Sequence, residues 1–129
     1  MQLSVAGVGV DIVSLQRLAE IVNRSGDRFL RRVYTPREVA EAEAHGNYIA
    51  SLAARFAAKE AVYKALGAGP DDAVELVEIE ITTGQRGEPE AALAGRAADV
   101  ASRNGIRSVL VSVSWEAECA VAVAVSLGT

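Results

Sequence analysis

Residues 48–66 constrain this chain most. Alanine, lysine, glutamate and leucine dominate the stretch, and these residues favour helix. Gly67 stands where a helix takes its C′ residue in the left-handed conformation. The spacing therefore predicts a helix from about Tyr48 to Leu66, closed by a glycine. Leu52, Phe56, Tyr63 and Leu66 roughly trace one apolar stripe, because residues three and four apart share a helical face. Glu60 falls on that stripe, four residues after Phe56 and three before Tyr63. A carboxylate so placed is drawn toward the core and needs a cation, a proton or a metal. Lys64, one turn further on, could be its partner. An ordinary i,i+4 surface ion pair is the alternative.

The 129 residues fit one domain, 1–129. Half of them are hydrophobic but only 5% are aromatic, so the core must be aliphatic and alanine-rich. A net charge of −4 argues against a general nucleic-acid or membrane-surface binder. The lone cysteine, Cys119, cannot form an internal disulfide and reads as a small buried hydrophobe. With His45 as the only histidine, a Cys/His zinc site is nearly excluded, and His45 itself reads as a helix-terminal residue. No apolar segment reaches 18 residues and no basic leader precedes one. The expectation is a soluble, cytoplasmic protein with no membrane partner.

Leu3 to Val10 reads as a strand with Gly7 and Gly9 set in it. Glycines inside a strand suggest close approach by another backbone or a ligand. Asp11 follows at its end. Residues 14–25 read as a helix capped by Ser14 and ended by Gly26. The segment Asp27 to Tyr34 places Arg28, Arg31 and Arg32 around Phe29 and Leu30. It is either a solvated face with an apolar underside or a docking patch for an acidic partner. Thr35-Pro36-Arg37-Glu38 is a capping box with proline at N1, opening a helix to about Ala44. Beyond the long helix, Val77, Ile79 and Ile81 alternate with polar residues as in a half-exposed strand. Glu90 to Leu93 suggests a short strand and Gly95 to Asn104 a helix. Two alternating runs, Val109 to Trp115 and Cys119 to Val125, suggest a hairpin packing one face on the helices. The order β-α-α-α-β-β-α-β-β predicts an α+β fold with an antiparallel sheet.

A Ser/His/Asp triad is unsupported, and Gly7-Val8-Gly9 lacks the third glycine of a dinucleotide motif. A carboxylate pair remains: Asp11 at a strand end and Glu60 on a helix face. A few carboxylate oxygens beside a phosphate-bearing substrate suit magnesium. Arg55, Lys59 and Lys64 on the same helix could meet the phosphates. Spacing alone leaves this pairing open.

These same residues carry a family resemblance. Gly7-Val8-Gly9-Val10-Asp11-Ile12, with Arg17 six beyond the aspartate, resembles the opening motif of the holo-acyl-carrier-protein synthases. Arg55-Phe56-Ala57-Ala58-Lys59-Glu60-Ala61, followed by Lys64-Ala65-Leu66-Gly67, resembles their second signature almost letter for letter. The arginine-rich segment and the late Val-Ser-Val-Ser strand also have counterparts, so the resemblance spans nearly the whole chain. It implies a 4′-phosphopantetheinyl transferase fold and the transfer of phosphopantetheine from coenzyme A to a serine of an apo acyl carrier protein, in fatty acid or polyketide biosynthesis. By carry-over, Asp11 and Glu60 would bind Mg2+, and Glu60, Lys64 and Asp11 would be catalytic. Arg55, Lys59, Lys64, Gly67, Pro89, Ser114 and Trp115 would line the coenzyme A site. Arg17 and Arg28 would meet the carrier protein, and the assembly would be a homotrimer with sites between subunits.

Two departures stand out. Trp115 replaces the histidine the family usually has after Ser-x-Ser, and it reads either as a core or interface filler or as a ligand-stacking ring. Gly87-Glu88-Pro89 puts an acid where the family's turn has a base, unfavourable beside phosphates unless Glu88 points away. Two alternatives to the transferase therefore stay open. One is a relative with a remodelled cleft acting on a small, possibly aromatic, substrate. The other is a non-catalytic carrier-protein binding module.

Overall fold

The computed structural model describes residues 2–129. The chain runs β1 (Ser4–Ser14), α1 (Leu15–Ser25), α2 (Asp27–Val33), α3 (Pro36–Ala44), α4 (Tyr48–Ala65), β2 (Ile79–Thr83), β3 (Pro89–Leu93), α5 (Gly95–Arg103), β4 (Ile106–Trp115) and β5 (Cys119–Gly128). Short 3-10 turns at Pro70–Asp72 and Leu76–Glu78 link α4 to β2. The strands form two antiparallel sheets rather than one: β1-β5-β4 and β2-β3.

Local signals in the sequence account for most boundaries. Ser14 caps α1 by accepting from the Arg17 backbone N–H, and Gly26 ends it at φ 52°. Thr35 and Glu38 form the expected capping box on α3. Gly67, at φ 75°, follows the end of α4 in the left-handed region, and Asn104 donates to the Leu66 carbonyl there at 2.8 Å. Three expectations change. The arginine-rich segment is itself a helix, α2. β1 continues to Ser14, so Asp11 lies inside the strand, paired across from Ala122, rather than at its end. Val77 belongs to a 3-10 turn, and the strand after it begins at Ile79.

The contact between α4 and the three-stranded sheet is built from small residues. The inward side of β5 is Ala120, Ala122, Ala124 and Ser126, all buried. Gly7 and Gly9 sit across from Ser126 and Ala124 on β1. The helix answers with Ala57, Ala58, Ala61 and Ala65, also buried. A Cβ on Gly9 would collide with the Ala61 carbonyl and lie 2.9 Å from the Lys64 Cβ; one on Gly7 would strike the Ala65 carbonyl oxygen. The backbone approach expected from those glycines is thus the approach of α4. Ser126 Oγ donates to the Ala65 carbonyl at 2.7 Å, satisfying one of the last carbonyls of the helix.

The alternation of β5 is therefore inverted from the usual arrangement. Its alanines face the helix and Val121 and Val123 face away, 36% and 41% exposed. Val8, Val10 and Ile12 on β1 and Leu110 on β4 share that outer side and are more than half exposed. Cys119 lies half-buried on the same side with no disulfide, and is less enclosed than its sequence setting suggests.

Gly9→Val should test the close approach. The branched side chain has no room unless α4 moves, so we expect a loss of about 2–3 kcal/mol in urea unfolding. The same substitution at Gly46, where an added Cβ meets nothing within 4 Å, should cost far less.

Candidate functional site

Two neighbouring residues on α4 have opposite fates. Lys59 is fully buried: its ammonium pairs with Glu38 Oε1 at 2.7 Å, donates to the Leu76 carbonyl at 3.1 Å and reaches the Ile79 carbonyl. It also sits 5.6 Å from the centre of the Tyr34 ring. Glu38, equally buried, accepts from the Thr35 and Ile81 backbone N–H groups through its two oxygens. Burial pushes the Lys59 ammonium below its ordinary pKa, with Glu38 opposing that shift. The expectation that Lys59 meets ligand phosphates is therefore corrected. All three of its donors are committed inside the core, where it ties α3 and β2 to α4.

Glu60, one residue on, is half-buried and feels the charge of Asp11 on β1. Its carboxyl is held above the usual carboxylate range by partial burial first and by the charge of Asp11 second, while Lys64 pulls the other way. Lys64 does not simply neutralise Glu60. Its ammonium donates to the Val10 carbonyl at 2.9 Å and approaches Asp11 Oδ1 at 3.5 Å. The group thus contains two carboxylates and one ammonium where β1 crosses α4, with a net negative charge. Among the described residues no cluster of three or more His, Cys, Asp or Glu could hold a metal ion. Two carboxylates with no His or Cys among them are not the usual zinc donor set. They do fit a hard divalent cation that completes its shell with water and substrate oxygens.

A second group surrounds a cavity of about 590 Å³ whose wall includes His45, Arg55, Thr83, Pro89, Ser114 and Trp115. Arg55 is 8% exposed. Its guanidinium donates to Ser51 Oγ at 3.3 Å, to Thr83 Oγ1 at 3.2 Å and to the Ile81 carbonyl, and pairs with Glu41 at 3.1 Å. Arg55 and Glu60 are five residues apart on α4, about 7.5 Å along its axis, so one helix serves both groups. Glu88 does turn away. Its carboxylate accepts from the Arg86 backbone N–H at 2.9 Å inside its own β2–β3 turn, while Gly87 and Pro89 on either side line the cavity. Gly67 is not in the wall of that cavity; it follows the end of α4 at φ 75°. His45 was missed as a wall residue. It does follow the end of α3 as expected, but that helix end opens on the cavity, which no local pattern reveals.

Arg17 lies on α1 and Arg28 on α2. Arg28 and Arg32, one turn apart, border a second cavity of about 520 Å³ floored by Phe29, Val33 and Leu76. Phe29 stacks on Phe56 at 6.1 Å and meets Tyr34 edge-on. The segment has both an apolar underside and an exposed basic face.

A model of the 4′-phosphopantetheinyl transferase superfamily matches residues 7–124, and the chain belongs to that superfamily. The holo-[acyl-carrier-protein] synthase of Desulforudis audaxviator is 46% identical over 124 residues, covering 96% of this chain and 94% of that one. The crystal structure of the Plasmodium yoelii holo-ACP synthase superposes with a TM-score of 0.86 at 30% identity, covering 100% of this chain and 99% of the other. The Helicobacter pylori holo-[acyl-carrier-protein] synthase, solved in complex with coenzyme A, gives 0.80 at 31% identity over 92% and 98%. These similarities place the chain among the holo-acyl-carrier-protein synthases.

Two outcomes follow from the charges. Lys59→Ala leaves Glu38 charged and buried without its cation, so chemical denaturation should show a loss of about 3–5 kcal/mol. Pairing Lys59→Met with Glu38→Gln, which keeps an acceptor for the Thr35 and Ile81 N–H groups, should recover part of it. Glu60 should behave oppositely. Its native pKa is raised, so the unfolded chain loses the proton first, and stability falls as pH rises from the ordinary carboxylate value toward the native one. Glu60→Gln should therefore melt higher than wild type at neutral pH without divalent cation, and the difference should vanish below the ordinary carboxylate range. Equal melting curves across that range would show Glu60 to be unstrained.

Proposed function

We propose that the chain transfers the 4′-phosphopantetheinyl group of coenzyme A to a serine hydroxyl of an apo acyl carrier protein, with Mg2+ held by Asp11 and Glu60. The observation that carries this reading is the ion pair of Lys64 with Asp11 at the β1–α4 crossing, with Glu60 within electrostatic reach of both. A non-catalytic binding module would need none of the three. The serine oxygen attacks the pantetheine-side phosphorus of the pyrophosphate. The new bond is the serine phosphodiester; the bond broken is P–O–P; adenosine 3′,5′-bisphosphate leaves. Glu60, directly or through one water, takes the serine proton, and its raised pKa brings it closer to the working pH of a general base. Lys64 stands ready to offset charge on the departing phosphate. The cation, when bound, would neutralise the pyrophosphate oxygens.

The cavity bordered by Arg55, Pro89, Ser114 and Trp115 is the proposed seat of the nucleotide end of coenzyme A. Arg17 on α1 and Arg28 on α2, the latter beside Phe29, form the proposed docking face for the acidic carrier protein, where opposite charge steers the encounter. A homotrimer goes with this reading, and the uncovered valine-rich side of the β1-β5-β4 sheet supports it. So does a cytoplasmic setting, with one free, half-buried cysteine. Among the described residues no helix is long and apolar enough to cross a membrane.

Intact-mass spectrometry of an apo carrier protein incubated with this chain, coenzyme A and magnesium should show addition of one phosphopantetheinyl group. Chelator should abolish the gain, and Glu60→Ala should slow it by about a hundredfold or more. A folded sample that modifies none of several carrier proteins would refute the transferase reading. Transfer that survives chelation would refute the metal assignment alone.

A further inference from the structure

The last carbonyls of a helix have no partner within it and must find one elsewhere. At the end of α4 the local backbone meets the earlier ones. The Val62 carbonyl accepts from the Leu66 N–H at 2.9 Å, Lys64 from Gly67 at 3.1 Å and Tyr63 from Ala68 at 3.4 Å. The two beyond them depend on side chains from distant parts of the chain. Ser126 Oγ donates to the Ala65 carbonyl at 2.7 Å, and Asn104 Nδ2 donates to the Leu66 carbonyl at 2.8 Å.

Asn104 also ends α5, its own N–H closing on the Val100 carbonyl at 3.0 Å. Gly105 follows in the left-handed region at φ 70°, and its N–H donates to the Ser102 carbonyl at 3.1 Å. A Cβ on Gly105 would lie 2.9 Å from the Thr129 carbonyl oxygen. Two separate demands therefore set asparagine directly before glycine: a side-chain donor for the end of α4, and a residue without Cβ ahead of β4. No other Asn-Gly step occurs in the sequence; Asn23 precedes arginine and Asn47 precedes tyrosine. Asparagine is a labile side chain, and most so before glycine, where no side chain hinders approach of the next backbone nitrogen.

We propose that Asn104 is a site of spontaneous covalent modification, deamidation, gated by release of the end of α4. The Gly105 nitrogen, on losing its proton to hydroxide, attacks Asn104 Cγ. The N–Cγ bond forms, the Cγ–Nδ2 bond breaks, and ammonia leaves, its third proton replacing the one taken from Gly105. Water then opens the cyclic imide to aspartate or isoaspartate at position 104. Asn104 is exposed, so water reaches it. Both reacting groups are nonetheless engaged, Nδ2 by Leu66 and the Gly105 N–H by Ser102. The ring closes only when both bonds open, so the folded chain reacts more slowly than the unfolded one. The product weakens the same helix end. A carboxylate has no proton for the Leu66 carbonyl, and it sets negative charge at the negative end of the helix dipole. Lys64 stands two residues before Leu66, within the turn affected.

The full chain is held warm at mildly alkaline pH, folded in buffer and unfolded in urea, and each asparagine is followed by peptide mass mapping. In urea Asn104 should convert well before Asn23 and Asn47. In buffer its rate should fall by about tenfold or more. Conversion led by Asn23 or Asn47 in urea would overturn the site, and equal rates in the two conditions would overturn the gating. Two variants read the consequence. Asn104→Ala removes the donor alone and should lower Tm by about 3–5 °C at neutral pH. Asn104→Asp adds the charge and should lower it further, with faster hydrogen exchange at Gly67 and Ala68. Below the ordinary carboxylate range the new carboxyl regains a proton to donate, so its deficit relative to Asn104→Ala should disappear. An Asn104→Asp protein that melts with wild type at neutral pH would overturn the effect on α4.

Discussion

The close approach of α4 to the sheet is the constraint on which the rest depends. Glycines on β1 and alanines on β5 let the helix backbone come nearly into contact with the strands. A strand alternates its side chains, so Gly7, Gly9 and Asp11 all face the helix. The first two must be small for the helix to arrive. The third then lies against it, beside Lys64 and within electrostatic reach of Glu60. Lys64 Cβ lies where a Gly9 side chain would be, which is how its ammonium reaches the Val10 carbonyl. The glycines of the opening motif therefore act through packing: they set the distance between α4 and the strand that carries Asp11.

Lys59 and Glu60 show how one helix separates a core ion pair from a half-buried carboxylate. Successive residues are about 100° apart around the axis, so one side chain enters the core and the next stays half-buried. The buried pair of Lys59 with Glu38 is fully satisfied, and no buried side-chain polar atom among the described residues lacks a partner. Such a pair is rarely worth more than well-packed hydrophobic residues would be. Its consequence here is positional. Through the Ile79 carbonyl and the Ile81 N–H it fixes β2 against α4. The same strand supplies Ile81 and Thr83 to Arg55. The cavity wall is thereby held to the helix that carries Glu60.

The sequence made the helices legible because their ends carry explicit chemistry: Ser14, Thr35 with Glu38, and Gly67 each do what their type predicts. It made Asp11 and Glu60 legible as candidates, but only the fold brings them together across about fifty residues of chain. The sense of β5 was not legible. Period-2 alternation says that two faces differ, not which one is buried, and bulk would point to the valines. The reverse holds because the helix needs small partners. Lys59 was misplaced for a related reason. A lysine in a motif rich in phosphate-binding types reads as a ligand until its buried partner, Glu38 on another helix, is in view. α2 was obscured by its charge pattern, since three arginines around two apolar residues fit a helix or a loop equally well.

The inverted alternation also ties the outer face of the sheet to the helix contact through β1. Facing inward, Gly7, Gly9 and Asp11 lie on the side of α4; facing outward, Val8, Val10 and Ile12 join Val121, Val123 and Leu110 in a contiguous apolar surface. Scattered exposed apolar residues are ordinary, but three neighbouring strands presenting them together are not. Covering that surface with other copies would restrain the strand whose opposite side carries Asp11. A one-residue slip of β1 on β5 would reverse both faces at once, sending valines into α4 and glycines outward. Both faces therefore depend on one register, and neither can change without the other.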